Sequence, residues 1–474
     1  MEELADFAVD FAQKLGADYA EARFQVDYEN LYVLRNGNPE AVSWTRRRGI
    51  GIRVMVDGAF GFASVNELEK SRVENCVREA VSMARAASKT LKQPLKLSEE
   101  EAHEDSWRVE PKTSFLDVSL EEKMGYLLEI DKRIADEQEI GVKIPQRLME
   151  LTEVITEKYF VNSDGAHISS WTPRVYFMAF LTAYEGGRTE QEFVERGEAR
   201  GWEALKDWNL PELLVERSKL LGRIIREAQP PPRGKVDLVL GSQVVGLIVH
   251  ESAGHPYEAD RIFGREAAQA GESFLKADML GQRIGSEVVN VADDPTLEHS
   301  YGFYLYDDEG VKARRRLLIK DGIINEFLHN RETAARMGIK SNASARANAF
   351  DREPIVRMAN TFMLPGDRSF EELLEDIRLG VYIKTFGEWN IDDRRYNMRF
   401  VGRECYLIEN GELKGLVRRP ILEVTTPGLY ASIDALDGNL SFEAATCGKG
   451  DPVQGIPVWH GGPNVRVRGI EVWR

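Results

Sequence analysis

Apolar positions in the first fifteen residues recur at helical spacing: Leu4, Phe7, Ala8, Phe11, Ala12 and Leu15 share one face. The period then changes to two. Ala20, Ala22, Phe24, Val26 and Tyr28 alternate with Glu21, Arg23, Gln25, Asp27 and Glu29, the pattern of a half-buried strand. Asn36-Gly37 reads as a hairpin turn. Ile50, Ile52, Val54 and Val56 alternate again up to Asp57-Gly58, and Phe60-Gly61-Phe62 starts the return strand. Val73, Cys76, Val77, Ala80, Val81 and Ala84 restore the helical period, so Cys76 reads as a core side chain. A third helix is expected over about 120–137. Strands are expected over about 148–161 and 174–184, joined through Asn162-Ser163-Asp164-Gly165.

A further helix from about Pro211 to Ala228 runs into Pro230-Pro231-Pro232-Arg233-Gly234. Three prolines and a glycine end a helix and stiffen the connection. The main boundary is therefore expected here, between an amino-terminal domain over 1–229 and a carboxyl-terminal domain over 230–474. Beyond it the pattern is strand-rich, with Asp321-Gly322 and Asn410-Gly411 between apolar alternations and one helix from about Ser369 to Leu379. The fold class expected is α+β: a mixed sheet-and-helix domain, then a strand-rich domain built as a curved or barrel-like sheet.

A chain of 474 residues, 43% hydrophobic, is too long for one ordinary core and agrees with two large domains. Sixty-two Lys and Arg against 78 Asp and Glu leave a formal charge of −16. That argues against general nucleic-acid binding, which needs a basic footprint. Three widely separated cysteines make no disulfide framework and point to a reducing compartment. The first residues carry acids where a secretory signal would carry bases, and the longest uncharged apolar stretch, Leu238 to Val249, is too short to span a bilayer. A cytoplasmic protein without a membrane segment is expected.

That apolar stretch carries the chemistry. Val236 to Leu240 read as a buried strand, Gly241 follows, and Ser242 reads as the N-cap of a helix through Val244, Val245, Leu247, Ile248 and Val249. The helix delivers His250-Glu251-Ser252-Ala253-Gly254-His255-Pro256. At about 100° per residue, histidines four apart lie roughly 40° apart around a helix. Five apart, they lie about 140° apart in a regular helix. To share one ion the helix must loosen or end between them, and Gly254 is the residue that would permit the distortion. Chance gives only roughly 0.01 such matches in a chain of this composition.

A catalytic zinc takes three protein ligands and keeps one position open. Cys447, in Ala444-Ala445-Thr446-Cys447-Gly448-Lys449-Gly450, is the best third ligand. Its glycines let backbone approach an ion, and Lys449 would favour the thiolate. Cys405 lies in an apparent strand and reads as core. His299, His329 and His460 are possible substitutes, and Asp260 is a possible ligand or supporting carboxylate.

At this point the sequence resembles the TldD branch of the TldD/PmbA family of metallopeptidases, over nearly its whole length. In the amino half the resemblance rests on Gly49-Ile50-Gly51-Ile52-Arg53-Val54 and Gly61-Phe62-Ala63-Ser64. In the carboxyl half it rests on Ser242-Gln243-Val244-Val245, the histidine motif, Asp307-Asp308-Glu309-Gly310, Arg357-Met358-Ala359-Asn360-Thr361, Ile408-Glu409-Asn410-Gly411 and Thr446-Cys447-Gly448-Lys449. Phe386-Gly387-Glu388-Trp389-Asn390 is bulkier than the glycine-rich family segment, and Lys449-Gly450-Asp451-Pro452 varies the usual run.

The resemblance implies one Zn(2+) per chain on His250, His255 and Cys447. It also implies hydrolysis of short or unfolded peptides and a dimer enclosing the site, either a homodimer or a heterodimer with a metal-free paralogue. The expected chemistry is metal-assisted amide hydrolysis, with Glu251 as general base passing the proton to the leaving amine and Tyr257 or another nearby donor at the oxyanion. The alternatives are a zinc amidase or deacylase on small molecules, and a non-catalytic scaffold subunit with structural zinc.

Overall fold

The computed structural model describes residues 1–137, 142–266 and 271–473. The opening amphipathic segment forms the helix Glu2–Lys14, with acids in its first turn and a lysine in its last, as the helix dipole favours. The alternating segments are long strands: Tyr19–Arg35, Asn38–Val56, Lys143–Asn162 and His167–Glu185. Asn36 at φ 49° and Gly37 at φ 74° close the first hairpin, both left-handed as the favoured two-residue turn requires. With Ala59–Val65, Glu104–Arg108 and Arg188–Glu198 these strands form a seven-stranded sheet. One face is covered by two pairs of helices. Glu2–Lys14 and Lys70–Ser88 bury Ala22, Ile52 and Val77 at one end. Leu120–Asp136 and Leu210–Glu227 bury Leu127, Phe177 and Leu214 at the other.

The opposite face corrects an expectation. Glu21, Arg23, Gln25 and Asp27 are at most 4% exposed. They meet the carboxyl half rather than water. Arg53 reaches Glu21 at 2.8 Å and Glu309 at 2.6 Å, Lys158 reaches Asp308 at 2.8 Å, and Arg23 donates to the carbonyl of Ala349 at 2.9 Å. Gly49 and Gly51 lie on this face because Phe350 packs where their side chains would be. Alternation reports that a face is polar; it does not report whether solvent or a polar partner covers it.

The carboxyl half has a six-stranded sheet that includes Val291–Asp293, Asn360–Met363, Gln454–Gly462 and Ser441–Lys449. It also has a nine-stranded sheet with Gly234–Leu240 inside it, parallel to Leu379–Ile383 and antiparallel to Val465–Trp473. The helix Ser242–Val249 leaves the nine-stranded sheet and packs on the six-stranded one, joining both into a single core around Leu238, Val245, Ile248, Met358 and Val458. The chain is thus mixed α+β and strand-rich.

Helix is expected over about 369–379; it covers only Phe370–Leu374, because Leu379–Ile383 is a strand in the sheet interior. Two further short helices, Arg331–Met337 and Thr426–Ser432, are too brief to show a period. Strand Arg188–Glu198 escapes the sequence pattern because Phe193 and Val194 are its only apolar side chains. Among the described residues no helix is long and apolar enough to cross a membrane.

Candidate metal centre

The strand Gly234–Leu240 hands over to the helix through Gly241, which is the N-cap, at ψ 161°. Ser242 is the first helical residue and not the cap, because Gly241 lies so close to the carbonyl of Lys384 (2.5 Å from an added Cβ) that a side chain has no room. The α-helix stops at Val249, and His250–Gly254 widen into a π-turn closed by His255 N–H donating to the carbonyl of His250. This five-residue hydrogen bond brings the second histidine back over the first, the loosening the spacing requires. Ser252 donates to the carbonyl of Ile248 at 2.6 Å and ties the turn to the helix. Gly254 serves differently from expectation. Its backbone is right-handed, at φ −65°, and a Cβ there would lie 2.6 Å from the sulfur of Met358. Close packing, not unusual backbone, demands glycine.

One donor atom each from His250, His255 and Cys447 lies within 4.8 Å of the others. All three residues are at most 5% exposed. Cys447 comes from the strand Ser441–Lys449, opposite Ile456, and its Sγ is 3.3 Å from Nε2 of His255. The two imidazoles stand nearly perpendicular, at 81°, with centroids 5.0 Å apart. Nδ1 of His255 is 3.0 Å from Glu258, which orients Nε2 toward the sulfur. Nδ1 of His250 is buried with no hydrogen-bond partner among the described residues.

Burial pulls both imidazoles below their ordinary value and so favours the neutral, ligating form. Burial pushes the Cys447 thiol up, but His255 and Arg357 outweigh it and bring it from 9.0 down to about 7. Glu258 is also buried, yet Lys449, His255 and Arg261 hold its carboxyl well below the usual range. Two neutral imidazoles and a low-lying thiol, converging with one orphaned ring nitrogen, fit a zinc ion better than magnesium or calcium.

Other expected residues fall elsewhere. Lys449 does not serve the thiolate. Its ammonium sits on both oxygens of Asp260, at 2.7 and 2.8 Å, and on the carbonyl of Val356, so Asp260 balances Lys449. Arg357 takes the place beside the cysteine, donating to its carbonyl at 2.5 Å. Cys76 and Cys405 are buried core thiols; burial pushes Cys76 up to about 12 and Cys405 well above its ordinary value. His299 stands half exposed beside Glu298, and His329 bonds Thr333 at 3.1 Å. His460 packs its ring 5.8 Å from His250 without belonging to the converging set. Tyr257 is fully buried, edge-on to Phe327.

Glu251 is 4% exposed, and its carboxylate meets the guanidinium of Arg395. Arg395 sits at φ 65° in the turn between the strands Phe386–Ile391 and Asn397–Gly402. No sequence signal pointed to it. Glu258, three residues past His255, was findable from helical spacing.

Residues 20–84 match the PmbA/TldA metallopeptidase domain 1, residues 113–228 its central domain, and residues 233–474 its C-terminal domain. The chain belongs to the PmbA/TldD family of metallopeptidases. A family member from Methanocaldococcus jannaschii, named a metalloprotease, is 33% identical over 449 residues, covering 95% of this chain and 96% of its own. A zinc metalloprotease TldD homolog from Saccharolobus solfataricus is 26% identical, covering 97% of this chain and 98% of its own. A solved structure from Thermotoga maritima, described as a modulator of a DNA gyrase, shares the fold across 100% of both chains, with TM-score 0.78 and 21% identity.

Proposed function

We propose that this PmbA/TldD-family chain is a zinc peptidase, with His250, His255 and Cys447 as the ligands and Glu251 as the general base. The convergence of three buried donors within 4.8 Å on a π-turn carries the reading. A bound zinc would polarise the scissile carbonyl and lower the pKa of its water. The residues supply the rest. Glu258 fixes the His255 ring, Arg357 and His255 stabilise the thiolate, and the Arg395 guanidinium holds the Glu251 carboxylate in position. The zinc named for the Saccharolobus relative supports the choice of metal.

The substrate proposed is a short or unfolded peptide bound as an added strand. Strand Phe386–Ile391 is the edge of the nine-stranded sheet and is exposed from Gly387 to Asn390. The same hairpin brings Arg395 to Glu251, so a peptide on this edge would run near the base. The division at 229/230 and action in the cytoplasm as a dimer, with itself or a metal-free paralogue, belong to the same proposal. Separate helix-covered and strand-rich cores on either side of the proline run support the division.

Protein purified without chelator should contain about one zinc per chain. It should cleave an unfolded protein and leave the folded form intact. Backbone N-methylation near the scissile bond should impair cleavage at alternate positions, because every second amide faces a sheet edge. Equal cleavage of all methylated peptides would remove strand addition; cleavage of acylated amines but not peptides would favour an amidase.

A further inference from the structure

Behind the strand that carries Cys447, a cavity of about 200 Å³ lies between the polar face of the amino-terminal sheet and the carboxyl half. Part of its wall is Gly455, Ile456 and Pro457, paired with Gly448, Cys447 and Thr446. The charges around it do not balance. Arg23, Lys158, Arg174 and Arg346 line it, against Asp27 and Asp308. Asp308 holds Lys158 at 2.8 Å and lies 3.9 Å from Arg23. Asp27 accepts from the neutral donors Gln25 at 2.9 Å and Thr156 at 2.9 Å, and it acts on Arg174 through space, as Asp308 does. Asp307 turns both oxygens onto the backbone N–H groups of Glu309, Val311 and Ala345, and burial pushes its carboxyl well above the usual range. Glu29 and Arg47 also line the space and are of opposite sign.

Arg174 and Arg346 have only neutral groups as hydrogen-bond partners. Arg174 donates to the carbonyls of Tyr301 at 3.0 Å and Phe303 at 2.8 Å. Arg346 donates to those of Met358 at 2.8 Å and Pro457 at 3.0 Å. Carbonyls fix the two guanidiniums in place but do not neutralise them, and among the described residues neither forms an ion pair with a carboxylate. Burial accordingly pulls Arg174 below its ordinary value and Arg346 down to about 10. An interface built only for adhesion would answer such charges with acids, as Glu21 and Glu309 answer Arg53. Beside the cations, Trp107, Phe160, Ile168 and Tyr306 make an apolar wall.

We propose that this cavity binds a small organic anion, its carboxylate or phosphate headgroup held by Arg174 and Arg346 and its apolar body lying against Trp107 and Phe160. Planar guanidiniums suit oxyanions, and their anchoring on carbonyls leaves the pair pre-organised. The proposal is independent of the zinc reading, because occupancy is measured without turnover.

The test is calorimetric titration of the metal-loaded protein with 4-bromobenzoate, phenyl phosphate and N-acetylphenylalanine, at constant ionic strength. N-acetylphenylalanine amide and benzylamine serve as uncharged and cationic controls. At least one acid should bind saturably and both controls should not. Tighter binding of N-acetylphenylalanine would assign the headgroup to a peptide carboxyl terminus; tighter binding of the other two, to a free acid or phosphate ester. Arg174→Gln and Arg346→Gln should each weaken binding about tenfold or more. A crystal soaked in 4-bromobenzoate should show its bromine anomalous peak beside Trp107, a measurement that needs no variant to fold. Equal binding of acid and amide, a bromine peak elsewhere, or no saturation by ~10 mM of any acid overturns the proposal.

Discussion

Two clusters of buried charge can be compared, the metal turn and the seam between the amino-terminal sheet and the carboxyl half. In the seam three buried carboxylates are in contact with cations, Arg53 taking Glu21 and Glu309 and Lys158 taking Asp308, while Asp27 and Asp307 accept from neutral donors. At the turn Glu258 is likewise matched, by Arg261 at 2.7 Å and Lys449 at 3.3 Å. There, however, a ring nitrogen of His250 has no partner, and the sulfur of Cys447 points at His255. Matched charge holds two surfaces in register. Donors that converge and remain unmatched mark a place for a ligand.

The sharpest test of that contrast is Cys447→Ser. It should remove most of the zinc by elemental analysis, while Cys76→Ser and Cys405→Ser retain it. Full retention in Cys447→Ser would sink the ligand assignment. In the seam, Arg53→Met strands two buried carboxylates and should cost about 3–5 kcal/mol in chemical denaturation, with zinc content per folded chain unchanged. A loss below ~1 kcal/mol would show that the seam carries no such burden. Glu251→Gln should keep its zinc and fold and lose about a hundredfold or more in turnover. Parental turnover would give Glu251 another role.

The smallest effect is expected where the two regions meet. Glu195 shares a small cavity with Glu443 and His460 and accepts a hydrogen bond from Tyr176. Burial pushes its carboxyl up to about 7; the Tyr176 hydroxyl pulls it down and Glu443 pushes it further up. A folded-state value raised above the unfolded 4.5 means that this contribution to stability is fully present below about pH 4.5 and is lost as the pH rises through about 7. Glu195→Gln should therefore be more stable than the parent at pH 8, by on the order of 2 kcal/mol, with the gain vanishing near pH 4. A pH-independent difference between the two proteins would refute the assignment.

Periodicity revealed the long strands and the four covering helices of the amino half, because each buries one apolar face over many residues. It failed for Arg331–Met337 and Thr426–Ser432, which make only about two turns each. It also left Glu21, Arg23, Gln25 and Asp27 facing water when they face Asp308 and Phe350. At the centre the histidine spacing foretold the loosened turn, since two ligands five residues apart cannot otherwise converge. It misread Lys449, Ser242 and Gly254, whose roles depend on Asp260, Lys384 and Met358, far away in the chain.

The sequence by itself determined what is local: amphipathic faces, turn residues at Asn36-Gly37 and Asp57-Gly58, and the strain that the five-residue spacing places on a helix. These depend on backbone sterics and burial period, which neighbours in the chain set. Only the tertiary structure decided that Cys447 lies 3.3 Å from His255 across 192 positions, that Arg395 meets Glu251, and that Arg174 and Arg346 line a cavity held by backbone carbonyls and not by direct ion pairs. Electrostatics and packing act through space, so the partner that neutralises, orients or leaves a charge unpaired can come from any point in the chain.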